Sequence, residues 1–244
     1  MSVSTVWAGL RVIDIRLIAA RGAWGSADVG VSLARWLLDG AVGDVATDVG
    51  RALYHVVRQM DGEHFIIDAT RDVPNFFRKV IGEFHGAEMR AKVMDIEGCY
   101  PNMPKEVIRF AMRAILQEAR KKGREGVSVP KRSKSKPCTW RRCGGPYVWI
   151  GFETMLEVLD FSLDQAIMRM KDGRLVRQVK GIPMGDALSP AMTIGTCAWM
   201  EREWMATLDD ATKARFRARR YMDDLLLLYK ADDTWDHERA VLCV

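Results

Sequence analysis

Apolar positions along this chain change their period several times, and each change marks an element. From Val29 to about Arg58 apolar residues recur at helical spacing, interrupted by Gly40 and Gly43, which predicts two helices. Asp72 to Phe84 reads as a further helix, with Asp72 near its start and Pro74 in the first turn. Arg90 to Ile96 is short, β-branched and apolar between Gly86 and Gly98, so it predicts a strand. Pro104 to Arg120 carries a Val107, Phe110, Ala111, Ala114, Ile115 stripe behind a proline near N1, the pattern of an amphipathic helix. Phe152 to Leu163 repeats that pattern. Ala166 to Val179 alternates around Asp172-Gly173, a hairpin with a type I′ turn signal. Leu188 to Leu208 is a long Ala/Met/Trp-rich helix with the composition of a buried one. Phe216 to Tyr229 places two apolar runs around Met222-Asp223-Asp224, again a hairpin. Helices alternating with hairpin-paired strands predict an α+β fold rather than a doubly wound parallel sheet.

Composition narrows the class. The 244 residues are 48% hydrophobic, with eight Trp and fourteen Met, which is globular rather than disordered. No apolar run approaches the roughly 18 uncharged residues of a membrane span, and Arg11, Asp14 and Arg16 interrupt the N-terminus as a signal peptide. The five cysteines are scattered and odd in number, which suits a reducing, intracellular compartment. Cys138 and Cys143 have no His at finger spacing, so a zinc reading is poor.

The net charge of +5 is concentrated in one place. Between Arg120 and Arg142 there are ten Lys or Arg against one acid, Glu125, while the rest of the chain has a slight acidic excess. A local positive loop, about 120–146, attracts a phosphate backbone with strong salt dependence. Lys131, Arg132, Lys134, Lys136, Arg141 and Arg142 are therefore the candidate nucleic-acid contacts. A solvated loop between helices explains the same charges as well. Pro130 to Lys136 (PKRSKSK) also reads as a nuclear address, which the basic loop explains equally.

The carboxylates carry the chemistry. Asp223-Asp224 stands at the head of a leucine strand, where adjacent charges repel and lose solvation. An exposed turn relieves this, and so do divalent cations; alone, the dipeptide fits an ordinary turn. Asp95 changes the balance, because it lies near the end of a second apolar strand with Val93, Met94 and Ile96. Two such strands side by side bring three carboxylates together. Two Mg²⁺ ions, with Mn²⁺ as a substitute, stabilise that cluster and leave room for phosphates and water.

Three blocks in order then give a resemblance. Tyr221-Met222-Asp223-Asp224 matches the Y-x-D-D block of reverse transcriptases. Asp95 to Tyr100 resembles their first palm block, an Asp followed five residues later by an aromatic. Gly181 to Pro190 (GIPMGDALSP) resembles the G-x-x-x-G-x-x-L-S-P segment bordering the incoming nucleotide. Asp95 to Pro104 looks like a segment of Penelope-like element reverse transcriptases, relatives of telomerase. Met184-Gly185 and Met200-Glu201-Arg202-Glu203 resemble further Penelope-like blocks, as do Leu10 to Ile13 and Thr70 to Phe77. Val12 stands where that family usually has Pro, and Asp186-Ala187 where it has Ser-Pro.

The resemblance implies a right-hand polymerase palm, an antiparallel sheet packed on helices, with partial fingers and connecting helices over residues 1–90 and palm over 91–244. It implies RNA-directed DNA synthesis from a retroelement: an RNA template, a DNA or RNA primer and dNTPs. Asp95 and Asp223 would be the principal metal ligands, with Asp224 supporting and the Ile96 carbonyl facing one ion. Tyr100 would lie under the nucleotide sugar and exclude a 2′-hydroxyl; the alternative is a core tyrosine. Arg11 would contact the triphosphate, with Arg21 as an alternative. Gly181 and Gly185 would let backbone approach the nucleotide, Pro183 would stiffen the turn, and Met184 would pack on base or sugar. Gln178 contacts the template or braces the loop. Lys213, Arg215, Arg217 and Arg219 alternate, so on a strand they share a face, either lining a nucleic-acid groove or keeping an edge soluble. Trp140 is the one tryptophan placed for base stacking. A thumb is expected to be absent, supplied by further domains or subunits. The competing readings are a truncated, non-catalytic nucleic-acid-binding remnant and an RNA-dependent RNA polymerase, against which Tyr100 stands where those palms carry a second Asp.

Overall fold

A computed structural model describes residues 12–14, 41–131 and 137–231. Arg11, Arg21, Arg132, Lys134, Lys136 and the predicted helix between Val29 and Gly40 lie outside the described residues. The chain divides into two compact units. The described parts of the first are 12–14, 62–99 and 198–231, and those of the second are 41–61, 100–131 and 137–197.

The first unit is built on a four-stranded antiparallel sheet of β1 (Val12–Asp14), β2 (Met89–Ile96), β7 (Phe216–Tyr221) and β8 (Asp224–Lys230), in the order β1-β2-β8-β7. The two apolar strands predicted from sequence therefore pair with each other, although more than a hundred residues separate them. Alternation sorts their side chains onto two faces. One face packs Met94, Phe216, Ala218, Leu227 and Tyr229 against Phe65 and Met205. The other sets Leu228, with Leu226 and Met89, against Phe76, Val80 and Phe84 of and just beyond helix α2 (Val73–Glu83). A 3₁₀ turn, Thr70–Asp72, precedes α2, so the helix begins one residue after Asp72.

The arginine row takes its place on that second face. Arg219 stacks over the Phe76 ring at 4.8 Å and Arg217 over Phe84 at 5.8 Å, with Arg217 also bound to Glu83 at 2.8 Å. Arg217 and Arg219 thus pack on rings of and just beyond α2 and help hold that helix to the sheet. Lys213 is not on the strand at all but in a short helix, Asp210–Lys213.

The second unit is mainly helical. Helix α1 (Ala41–Val57) runs unbroken through Gly43, which the sequence pattern sets as an interruption. Helix α4 (Lys105–Lys121) buries Val107, Ala111 and Ile115 of its predicted stripe but leaves Phe110 61% exposed, and α5 (Phe152–Asp164) buries Phe152, Met155, Leu159 and Leu163. Pro104 is the N-cap of α4 rather than its N1 residue. Between α1 and α4 lies a short helix α3 (Cys99–Asn102), whose first residue still belongs to the first unit. Helix α6 (Ser189–Thr207) begins in this unit, and its residues from Ala198 belong to the first; it is buried nearly all round from Ala191 to Glu201, as its Ala/Met composition predicts. A side chain at Gly195 would meet Val57 at 2.8 Å and Met112 at 2.9 Å, so glycine permits that packing.

The basic stretch is not a single loop: it contains the end of α4 and strand β3 (Gly126–Pro130), which pairs with β4 (Tyr147–Gly151). Sequence reading missed this hairpin because its first strand is buried throughout and gives no alternation. The hairpin of β5 (Ile167–Arg169) and β6 (Leu175–Arg177) does form. Its turn is not type I′, since positive φ occurs at Gly173 and not at Asp172. Met170 and Arg174 close a three-residue loop with a left-handed glycine in its last position.

Candidate active site

In the first unit the register sets Asp95 opposite Asp224 across β2 and β8. Directly opposed antiparallel residues have Cα atoms about 4.5–5.5 Å apart, so the two carboxylates leave the same face of the sheet. Asp223 occupies the two-residue turn from β7 to β8, after Met222 at φ +56°. The Ile96 N–H donates to the Asp223 carbonyl at 3.1 Å, which ties this turn to the residue after Asp95. The three aspartates feel one another. Burial, then the charges of Asp223 and Asp224, push the Asp95 carboxyl above its usual range. Burial, then Asp223, do the same to Asp224.

The surroundings are uneven along the sheet. Helix α2 covers the face at the Leu228 end. At the other end Val93 is 46% exposed and Tyr221 41%, beside Asp95 and Asp224. Three carboxylates therefore stand at the open end of a largely apolar face. Among the described residues no three acidic, His or Cys side chains close into a preformed cage. Magnesium does not require one: it is commonly held by one or two carboxylates together with waters and substrate phosphates. An open group of carboxylates on one face, with Asp224 exposed, leaves room for such an ion with its waters and phosphates.

In the second unit the segment after β6 forms a braced loop. Gly181 has φ +85°, and its N–H donates to the Met103 carbonyl at 3.1 Å. A Cβ there would collide with the Tyr100 carbonyl and lie 2.7 Å from Pro101 Cα. The Ile182 N–H donates to the Tyr100 carbonyl at 2.7 Å. Gln178 braces the loop, donating to the carbonyls of Lys180 (2.8 Å) and Ile182 (3.2 Å). Pro183 is buried and its carbonyl accepts from Ser189, whereas Met184 is 57% exposed and Gly185 is exposed with φ +84°. Tyr100 is half-buried at the start of α3.

Sequence reading missed Lys105. It is 7% exposed, and its ammonium donates to the carbonyls of Leu163 and, at 2.6 Å, Gln178. Burial lowers its pKa. A lysine at the start of an amphipathic helix carries no sequence signal for burial, because only tertiary contact supplies the two carbonyls.

Of the basic contacts, Lys131, Arg141 and Arg142 are exposed, and Arg142 lies over the Trp149 ring at 5.5 Å. Trp140 is not placed for stacking on a base. Its indole donates to Gln59 at 2.6 Å, it packs on His55 and Phe152, and Arg124 covers it. Cys138 and Cys143 are free thiols. No described helix is long and apolar enough to cross a membrane.

No family model and no curated protein matches this chain. Solved structures do. Telomerase from Candida albicans, in complex with a fragment of telomeric RNA, superposes with TM-score 0.61 at 15% identity, over 80% of this chain and 32% of that one. Apo telomerase from Candida tropicalis, truncated from its C-terminal domain, gives TM-score 0.57 at 16% identity, over 83% of this chain and 37% of that one. The chain thus spans about a third of the length of the telomerases it matches. At this identity the likeness is one of fold: an α+β arrangement with an antiparallel sheet packed on helices, shared with telomerase, as the polymerase-palm expectation requires.

Proposed function

We propose that this chain carries the palm of an RNA-directed DNA polymerase of the Penelope-like kind, transferring dNTPs to a primer 3′ end on an RNA template. The observation that carries it is the opposition of Asp95 and Asp224, with Asp223 in the turn from β7 to β8, at the uncovered end of the sheet. Asp95, Asp223 and Asp224 would hold two Mg²⁺ ions. When bound, those ions lower the pKa of the primer hydroxyl and neutralise charge on the departing pyrophosphate. The chain's own contribution is placement: an antiparallel ladder fixes two carboxylates, and a tight turn fixes the third. Val93 and Tyr221 beside them are exposed, so the carboxylates remain open to substrate. Tyr100, Gly181, Pro183, Met184 and Gly185 would bind the nucleotide, with Arg11 on its triphosphate. RNA in the Candida albicans complex accords with an RNA partner, and the exposed Lys131, Arg141 and Arg142 would meet its backbone.

Two measurements test this. Mn²⁺ binding followed by electron paramagnetic resonance should show sites that Asp95→Asn and Asp223→Asn weaken. Primer extension on an RNA template, with dNTPs and NTPs offered separately, should show dNTP incorporation lost in Asp223→Asn. NTP preference would point to an RNA polymerase. Nucleic-acid binding with neither extension nor Mn²⁺ sites would leave a non-catalytic remnant and sink the proposal.

A further inference from the structure

Among the described residues of the first unit, the most deeply buried charges are Arg220 and Glu201, 1% and 2% exposed. Desolvating an ion pair costs several kcal/mol per ion, and apolar residues of similar volume often do as well or better. Stability is therefore a poor account of this pair, and its hydrogen bonds suggest another. Arg220 Nε donates to Glu201 Oε1, and Nη2 approaches Oε2 at 3.4 Å. Its third nitrogen, Nη1, donates to the carbonyl of Met222. Glu201 Oε2 is fixed in turn by the Phe65 N–H at 3.0 Å. The Arg220 backbone is held as well, its N–H on the Phe65 carbonyl at 2.6 Å and its carbonyl on the Ile67 N–H at 3.1 Å.

Met222 is the residue that needs holding. Its φ of +56° lies in the left-handed region, which costs a side-chain-bearing residue roughly 1–2 kcal/mol, and it directly precedes Asp223. On the far side of the same turn the Asp223 carbonyl is taken by Ile96. We propose that Arg220, anchored by Glu201, is the positioning residue of the carboxylate turn: its bond to the Met222 carbonyl fixes the strained peptide and so the direction of the Asp223 side chain. This rests on the reading of the three aspartates as metal ligands. It makes the buried pair an outer shell of that site, of the kind whose loss weakens metal binding without removing a ligand.

The test uses the whole chain and four variants: Asp223→Asn, Arg220→Lys, Glu201→Gln, and the neutral pair Arg220→Gln with Glu201→Gln. Arg220→Lys keeps the charge against Glu201 but replaces the rigid planar fork with a compact ammonium whose donors radiate from one atom, so it cannot reproduce the fork's reach to Glu201 and the Met222 carbonyl at once. The neutral pair leaves no unpaired ion, so it retains the fold if either single variant does not. Mn²⁺ affinity by electron paramagnetic resonance and the thermal midpoint are read together. The expected result is Mn²⁺ binding weakened on the order of 10-fold in folded Arg220→Lys and in the neutral pair. A merely structural role would move the midpoint and leave the affinity of the folded protein alone. Wild-type affinity in both variants, while Asp223→Asn still weakens binding, overturns the positioning role and spares the polymerase reading. Absence of Mn²⁺ binding in the wild type, or binding indifferent to Asp223→Asn, overturns both.

Discussion

Asp95 and Asp224 stand directly opposite each other across a single antiparallel ladder, a juxtaposition of like charges that strand pairing alone disfavours. Both carboxyls are pushed above their ordinary range of 3.8, chiefly by burial and then by neighbouring carboxylates. Between the unfolded and the raised folded values the folded chain binds more protons. Metal-free stability should therefore fall as pH rises from about 3.8 through the folded values, and stay at its penalised level above them. Asp95→Asn should flatten that slope. It should also raise the metal-free midpoint at neutral pH, by roughly 0.2–1 kcal/mol or up to about 4 °C. Thermal melts in a chelating buffer from about pH 4 to pH 8 check this; a lower midpoint for the variant would contradict it.

Gly181→Ala should be costly for two reasons that can be separated. The φ of +85° is strained for alanine, and the new Cβ would press on the Tyr100 carbonyl and Pro101. Gly173 has the same φ, +85°, but open space around it. Denaturant titration should show roughly 1–3 kcal/mol lost at Gly173 from backbone strain alone, and more than that at Gly181.

Lys105→Met should remove the donor shared by the Leu163 and Gln178 carbonyls. Leaving buried acceptors without a partner costs about 1–3 kcal/mol. The loss is read as a lower denaturation midpoint. No change would mean the ammonium is dispensable there.

Two classes of cation should respond differently. Arg219→Ala loses a ring contact under α2, so its effect should be on stability, about 0.5–2 kcal/mol, with the salt dependence of RNA binding unchanged. Arg141→Ala removes an exposed charge. It should leave the fold intact and lower the logarithmic salt slope by about 1. Filter binding across a salt series, beside thermal melts, distinguishes the two.

What could be read from the residues follows from locality. Helices α4 and α5 declare themselves because a 3.6-residue period is a property of neighbouring positions, and α6 because its Ala/Met-rich composition is one too. The β7–β8 hairpin does so because two apolar runs flank a two-residue turn. The three aspartates were legible as candidates for the same reason: a charge inside an apolar run is anomalous wherever it occurs. The β3–β4 pairing was hidden inside a charge count, since Val127 and Val129 sit among lysines and both faces of their strand are buried.

The sequence by itself determined most of the helices, strand β2 and two of the hairpins, the open question posed by Asp95 and Asp223-Asp224, and the α+β class. Only the tertiary structure decided that β2 pairs with β8 in a register that opposes Asp95 to Asp224, because pairing between distant strands depends on which faces are buried together. It alone set Arg217 and Arg219, whose alternation fitted either a groove or a soluble edge, against the rings of α2 and Phe84, and joined Glu201 to Arg220 beneath the turn. A side chain's charge is written in the chain; whether it meets solvent, a ring or an opposite charge is set by residues far away in sequence.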